Sequence, residues 1–476
     1  MNVGRLEIMA LLDPDRLFPI EGAPRVLARE LFAEVRELPL ISPHGHTDAR
    51  WYAEDEAFPD PAQLFVTRDH YVFRMLHSQG LALADLGVPR ADGGPTEVDP
   101  RRIWRRFAEN YHLFRGTPSR IWLDQVFQDV FGFDQRLSAE TSDAYYDAIA
   151  DRLTRPEFRP RALFAQFNIE VIATTESPLD DLASHEAIRR SGWNGRVITA
   201  YRPDAVVDPE FEGFSSNVER FGALTGCSAT TWEGYLDAHR QRRAFFKSYG
   251  ATSSDHGHPT ARTENLAQSD ASVLFQQALT GRITPEEADV FRGQMLTEMA
   301  RMSLEDGLVL QIHPGSMRNH SAGVLSRFGR DKGFDIPTRT DYVRSLKPLL
   351  NAVGDRPELT IILFTLDETA YARELAPLAG VYPALKLGPA WWFFDSPEGM
   401  RRFRELTTET AGFYNTVGFN DDTRAYLSIP ARHDMARRVD CSYLATLVAT
   451  GRLAEDEAHE VAHDLAYRLA KQAYRL

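Results

Sequence analysis

Eight short apolar runs, each ending in polar or charged residues, recur along this 476-residue chain. They are LPLISPHGH (38–46), IEVIATTES (169–177), GRVITAYRPD (195–204), GATSSDHGH (250–258), GLVLQIHPG (307–315), LTIILFTLDE (359–368), PALKLGPAWW (383–392) and NTVGFNDDTR (415–424). Helix-like stretches separate them, such as TPEEADVFRGQMLTEMARMSLEDG, which opens on a Thr-Pro cap and an acidic first turn. Strands alternating with helices imply a mainly parallel sheet. Eight such units predict a (β/α)₈ TIM-type barrel, an α/β fold whose active site lies at the carboxyl ends of the strands. The competing architecture is an open doubly wound sheet, but no glycine-rich fingerprint follows the first run.

The spacing of the runs is uneven. About 120 residues separate the first two, rich in helix formers and aromatics (RRIWRRFAENYHLF, SDAYYDAIADRL). We read 47–165 as a large helical insertion after strand 1, inside one barrel domain spanning 1–476. Residues 205–249 and 259–306 are long for single crossovers and add further helices, and the tail from Pro430 has helical periodicity.

The first run delivers His44 and His46. Alternate residues of a strand face one side, so two imidazoles aim at one point, as metal ligands do. Two loop histidines held by hydrogen bonds would look the same. Asp421 and Asp422 end the eighth run, and strand 8 of a closed barrel lies beside strand 1. One of these carboxylates can complete a His-His-Asp set; a turn or helix cap is the other use of such a pair. His313, after the fifth run, is either a further ligand or a polar group that orients substrate.

Net charge decides other questions. At −14, with 68 acidic and 54 basic residues, the chain lacks the basic face that nucleic acid requires. An anionic substrate would need a few placed arginines, and Arg202, Arg318 and Arg424 all fall just after strand ends. Trp391 and Trp392 either stack on a ligand or pack in the core. Two distant cysteines, Cys227 and Cys441, argue against a disulfide framework or a thiolate metal site. The amino terminus, with Glu7 and Asp13 breaking its apolar stretch, makes a poor signal peptide, and no run approaches the ~18 apolar residues of a membrane span. A cytoplasmic location is expected, with no membrane contact; a homo-oligomer is left open.

The stretches PHGHTDARWYAED, TRDHYVFRML, AYRPD, SDHG, LQIHPGSMRNHS, GFDI, LGPAWWFFD and GFNDDTRAYLSIPARHDMARR, in this order, resemble the uronate isomerase (glucuronate/galacturonate isomerase) family of the amidohydrolase superfamily. The resemblance runs from about residue 38 to 440. It implies a (β/α)₈ barrel with one divalent metal, zinc or else cobalt or manganese, bound by His44, His46 and Asp422. It places His70 and Tyr71 as an active-site pair, Arg202 and Arg424 against substrate, and Trp391 in the pocket. Two departures stand out: the DDTR sequence carries Asp421 as an extra acid, and Glu176 stands where the family often has aspartate. The absence of a lysine in TSSDHGH favours a single metal.

The implied reaction interconverts D-glucuronate with D-fructuronate, or D-galacturonate with D-tagaturonate. Moving a proton from C2 to C1 through an enediol needs a base, an acid and an electrophile. Tyr71 and Asp422 are the candidates for the relay, with the phenol's pKa lowered by Arg424 or the metal, and His70 a candidate for assisting ring opening. Two other classes compete: a mononuclear metal-dependent hydrolase (deaminase or lactonase) on the same barrel, and a non-catalytic uronate-binding protein.

Overall fold

A computed structural model describes residues 11–476. The amino-terminal reading, in so far as it rests on residues 1–10, lies outside the described residues. The main sheet contains β1 (Leu40–Ser42), β2 (Ile169–Glu176), β3 (Arg196–Tyr201), β4 (Ser253–His256), β5 (Val309–Ile312), β8 (Ile361–Leu363) and β9 (Leu385–Leu387). A small antiparallel pair, β6 (Ser316–Met317) and β7 (Ile336–Pro337), lies outside it. The main strands pair in parallel in the order β1-β2-β3-β4-β5-β8-β9, so each strand follows its predecessor around a curled sheet.

The eighth run forms no regular strand, which corrects the expectation of eight. Residues 415–423 nevertheless fill the gap between the sheet's two edges. Leu387 N–H donates to Asn415 O at 2.8 Å and Val417 N–H to Leu387 O at 3.1 Å, while His46 N–H donates to Thr423 O at 3.0 Å. Two local features interrupt the ladder. Gly418 takes φ +73° with Leu465 O only 2.8 Å from where a Cβ would stand, and Asp422 takes φ +36°. Glycine accepts the left-handed region freely, whereas an aspartate held there is strained.

Side chains alternate across the sheet as the pleat requires. Ile41, Val171, Ala173 and Ile198 form an inner cluster with Ala470 of the carboxyl-terminal helix. Leu310, Ile312, Ile361 and Leu363 face outward into the largest core, against the surrounding helices. That helix, Leu469–Tyr474, also sends Tyr474 into a cluster with Val309, Ile362 and Val417. The barrel interior is therefore packed from below, and its open end lies at the carboxyl ends of the strands.

Helices account for the long connections, as the spacing predicts. Six α-helices lie between β1 and β2, from Ala49–Glu54 to Pro160–Gln166, around an aromatic core that includes Trp104, Phe107, Phe127 and Tyr145. Residues 205–249 contain helices Phe214–Thr225 and Trp232–Ser248; residues 259–306 contain Gln268–Leu279 and Pro285–Asp306. The last begins with a capping box: Glu287 N–H donates to Thr284 Oγ1 at 3.3 Å and Thr284 N–H to Glu287 Oε2 at 2.9 Å. The tail is helical over Ile429–Ala449, Glu455–His463 and Leu469–Tyr474. Among the described residues no helix is long and apolar enough to cross a membrane, and both cysteines are free.

Candidate active site

A cavity of about 390 Å³ opens at the carboxyl ends of the strands, lined by the chain segments that follow them. All ten residues singled out from the sequence reach it: His44, His46, His70, Tyr71, Arg202, His313, Arg318, Trp391, Asp422 and Arg424. Asp421 does not. Its Oδ2 lies 3.1 Å from His433 Nε2 beneath the cavity, so the two adjacent aspartates have separate surroundings.

His44, His46 and Asp422 present one ligand atom each, all within 4.8 Å of one another. Asp422 Oδ1 lies 3.3 Å from His46 Nε2 and 3.6 Å from His44 Nε2. The same oxygen is buried with no hydrogen-bond partner, while Trp391 Nε1–H donates to Oδ2. Burial, with His44, Arg202 and Arg424 nearby, pushes the His46 pKa well below its ordinary value, which keeps the ring neutral. Two imidazoles and an unpartnered carboxylate oxygen facing one point fit a divalent cation.

His313 stands apart from this trio. Its Nε2 lies 2.9 Å from Asp255 Oδ1, and its ring is 5.2 Å from that of Trp391. Asp255 has no role in the sequence reading, although it lies in the SDHG stretch that contributes to the resemblance. On β4 it lies two positions beyond Ser253 and so faces the barrel interior. Its Oδ1 is 4.0 Å from His44 Nε2 and its Oδ2 is 3.5 Å from Arg202 Nη1. Burial disfavours its charge, yet His313, His44 and Arg202 outweigh that and hold the carboxyl well below its ordinary range. A lone acid on a small, polar, buried strand was the signal available.

Four arginines, Arg202, Arg318, Arg330 and Arg424, line the cavity, and two of them approach the same glycine. Arg202 Nη2 and Arg318 Nη2 lie 2.9 and 3.0 Å from where a Cβ on Gly257 would stand, so only a glycine leaves room for both. Arg318 Nη1 is 3.5 Å from Asp335 Oδ2, and Arg202 Nε donates to Asp204 Oδ2 at 3.1 Å. Arg424 is exposed at the rim.

Tyr71 follows Asp69, whose side chain caps the helix His70–Ser78 by accepting from Tyr71 N–H at 2.8 Å. The cations facing the phenol ring are Arg74 and Arg432, 5.0 and 5.4 Å from its centroid, rather than Arg424. Burial raises the phenol's pKa against the opposing Arg432 and Arg74, so the depression expected from Arg424 is not found and the protein's own groups favour the protonated hydroxyl. Arg432 also lies 3.7 Å over Trp122 and pairs with Asp395. It sits in the IPARHDMARR stretch but had been given no role. His70 is kept neutral, its pKa pushed well down by burial and by Arg424 and Arg74.

Glu176 ends β2 at the cavity wall, and its carboxyl accepts from Thr199 Oγ1. Burial pushes its pKa up to about 7 from 4.5, against the hydroxyls of Thr174 and Thr199. The folded state then binds this proton more tightly than the unfolded state, so its stabilising share is complete below pH 4.5 and is lost as pH rises through 7. Glu176→Gln is expected to flatten the fall in stability across that window, measured by denaturant unfolding at several pH values. Asp395, also pushed up to about 7 by burial, keeps its own share in the variant.

A parallel barrel with a His-His-Asp trio at its mouth that could hold a cation has the architecture of a (β/α)₈-barrel enzyme. Residues 23–474 match the family described as "Glucuronate isomerase". The chain is 68% identical over 466 residues to "Uronate isomerase" of Rhizobium meliloti, covering 98% of this chain and 99% of that protein. It is 69% identical over 469 residues to the protein of the same name from Mesorhizobium japonicum, covering 98% and 100%. The solved glucuronate isomerase of Caulobacter crescentus superposes with a TM-score of 0.96 at 59% identity, over 98% of this chain and 97% of that one. The chain belongs to the glucuronate isomerase family.

Proposed function

We propose that this chain isomerises D-glucuronate to D-fructuronate, D-galacturonate to D-tagaturonate, or both, as a cytoplasmic enzyme whose 47–165 segment is a helical insertion in one barrel domain. The observation that carries this reading is the placement of a cation site, a carboxylate-sized pair of guanidinium groups and a buried neutral phenol around one small cavity.

His44 Nε2, His46 Nε2 and Asp422 Oδ1 would hold one divalent ion, zinc or else cobalt or manganese. When bound, such an ion supplies the positive charge that stabilises an enediolate oxygen. The chain's own groups do the rest. Arg202 and Arg318 take the uronate carboxylate above Gly257, and Arg424 closes the rim. Asp255 holds Arg202 and His313 against the pocket wall. The C2 proton passes to Asp422 Oδ2, the oxygen that Trp391 Nε1–H positions, leaving Oδ1 to the ion. Asp422 returns the proton to C1, while the Tyr71 hydroxyl donates its proton to the carbonyl oxygen at C1 and the proton leaving the C2 hydroxyl passes to the Tyr71 phenolate, restoring the hydroxyl. Formula and charge are unchanged overall. Neutral His70 assists ring opening.

The reading is tested by incubating purified, metal-supplied protein with each uronate and following ketose formation by proton NMR. Formation of neither ketose, with release of acid or ammonia from other substrates, would instead indicate a hydrolase. Binding without turnover would indicate a uronate-binding protein.

The arginine assignment has its own test. A charge-assisted hydrogen bond contributes roughly 1.5–3 kcal/mol, so Arg202→Met should raise KM for the uronate by about ten- to a hundredfold. A neutral aldose lacking the carboxylate should lose far less. Equal losses for both sugars would show that Arg202 does not read the carboxylate.

A further inference from the structure

Beneath the cation site a chain of buried polar groups leads down to the carboxyl-terminal helix. Tyr474 and Gln311 are fully buried, and the Tyr474 hydroxyl lies 2.8 Å from Gln311 Oε1. In this orientation of the amide, its nitrogen Nε2 lies 3.4 Å from His44 Nδ1 and donates to Ser253 Oγ at 3.1 Å. Asn420 Nδ2 reaches the same tyrosine hydroxyl at 3.2 Å. Four elements far apart in sequence, β1, β4, β5 and the last helix, thus meet at the rear face of a site histidine.

We propose that Gln311, set by Tyr474, is the positioning residue that fixes the tautomer and tilt of His44 for its cation. This rests on the His-His-Asp reading of the site. A histidine that offers the Nε2 lone pair must carry its hydrogen on Nδ1, and that N–H needs an acceptor. Gln311 is the side chain in hydrogen-bond reach of Nδ1, and only its oxygen accepts. An amide's oxygen and nitrogen are interchangeable in shape, so its bonding partners decide which way it faces. With the oxygen toward Nδ1 it also accepts from Ser253 Oγ–H, and the amide N–H₂ donates down to Tyr474. With the Asn420 amide turned as well, so that Oδ1 takes the place of Nδ2 beside the tyrosine, the Tyr474 hydroxyl accepts from Gln311 and donates its own hydrogen to that oxygen, which otherwise has no partner. With both amides turned this way every link agrees in direction, and the floor of the barrel commits His44 to the Nδ1–H tautomer.

The neighbouring imidazole has no such support. His46 is fixed through its backbone, by the bond from its N–H to Thr423 O, and its ring is more open to the cavity. The two histidines therefore differ in kind, one held from below through its ring and the other held through the main chain.

The test is zinc affinity of the stripped protein, measured by competition against a chromogenic chelator, with apo-protein unfolding recorded alongside. Loss of an outer hydrogen-bond partner of a ligating histidine typically weakens a site 10- to 100-fold. Gln311→Met, which keeps length but has no strong acceptor, should therefore weaken zinc binding about 10- to 100-fold. Gln311→Glu supplies an acceptor at the same place and should bind zinc at least tenfold more tightly than Gln311→Met. Tyr474→Phe frees the amide to turn and should weaken binding by a smaller factor, without touching the cavity. Gln311→Met binding zinc within twofold of the parent would overturn the proposal, as would Gln311→Glu binding more weakly than Gln311→Met. If either Gln311 variant fails to fold, Tyr474→Phe decides: zinc affinity unchanged within experimental error overturns it. Failure of His44→Ala to lose zinc would instead overturn the site reading on which the proposal stands.

Discussion

His44→Ala and His46→Ala, each tested alone, are expected to lose most of the bound divalent ion, about one per chain in the parent, and activity with it. Each removes one of three donors that converge within 4.8 Å, and a site left with two offers too few ligands for a tetrahedral or octahedral ion. Asp422 Oδ1 would lose one of the imidazoles 3.3 and 3.6 Å away, leaving a buried carboxylate less well compensated. Elemental analysis of protein purified under identical conditions checks the first part. Full activity after exhaustive chelation would remove the ion from the mechanism, and unchanged metal in both variants would place the site elsewhere.

The second large effect is expected from Tyr71→Phe. The change removes one hydroxyl and keeps the ring that packs against Trp122 and Arg432, so fold and metal content should survive. A positioned proton donor or acceptor is worth about 10²–10⁴ in rate. We therefore expect kcat to fall by that order with KM little changed, the pattern of a contact made mainly in the transition state. Because burial keeps this phenol protonated, the step it governs is donation to oxygen. Exchange of the C2 proton with solvent deuterium should therefore slow in parallel with turnover. Near-parental turnover would reassign the relay to Asp422 and His70.

The parts of this molecule that were legible in its sequence are those governed by local pattern. Short apolar runs ending in polar residues marked seven strands because parallel strands are buried on both faces and carry their functional groups at the end. His44 and His46 were legible because residues two apart on a strand share a face. The eighth strand was not, because Gly418 and Asp422 adopt left-handed backbone that no apolar pattern announces. Asp255 and Arg432 were overlooked for a different reason. Their chemistry depends on partners that only the closed barrel supplies: His313 and Arg202 for one, Asp395 and Tyr71 for the other. Tyr71 was placed correctly in the cavity, yet its electrostatics could not be read in advance, since burial and not the nearest arginine sets the direction of its pKa.

The bond from His46 N–H to Thr423 O joins the first strand's exit to the segment that follows the last. Both histidines leave the ribosome hundreds of residues before Asp422, so a nascent chain that has exposed only the first seven strands possesses imidazoles but no carboxylate to pair with them. Contacts of such long sequence separation form late, because the loop they close is entropically costly. Tight capture of the ion is thus the final event of ring closure. In refolding experiments, metal uptake would keep time for the last step of assembly, trailing the appearance of helical signal from the insertion and the tail.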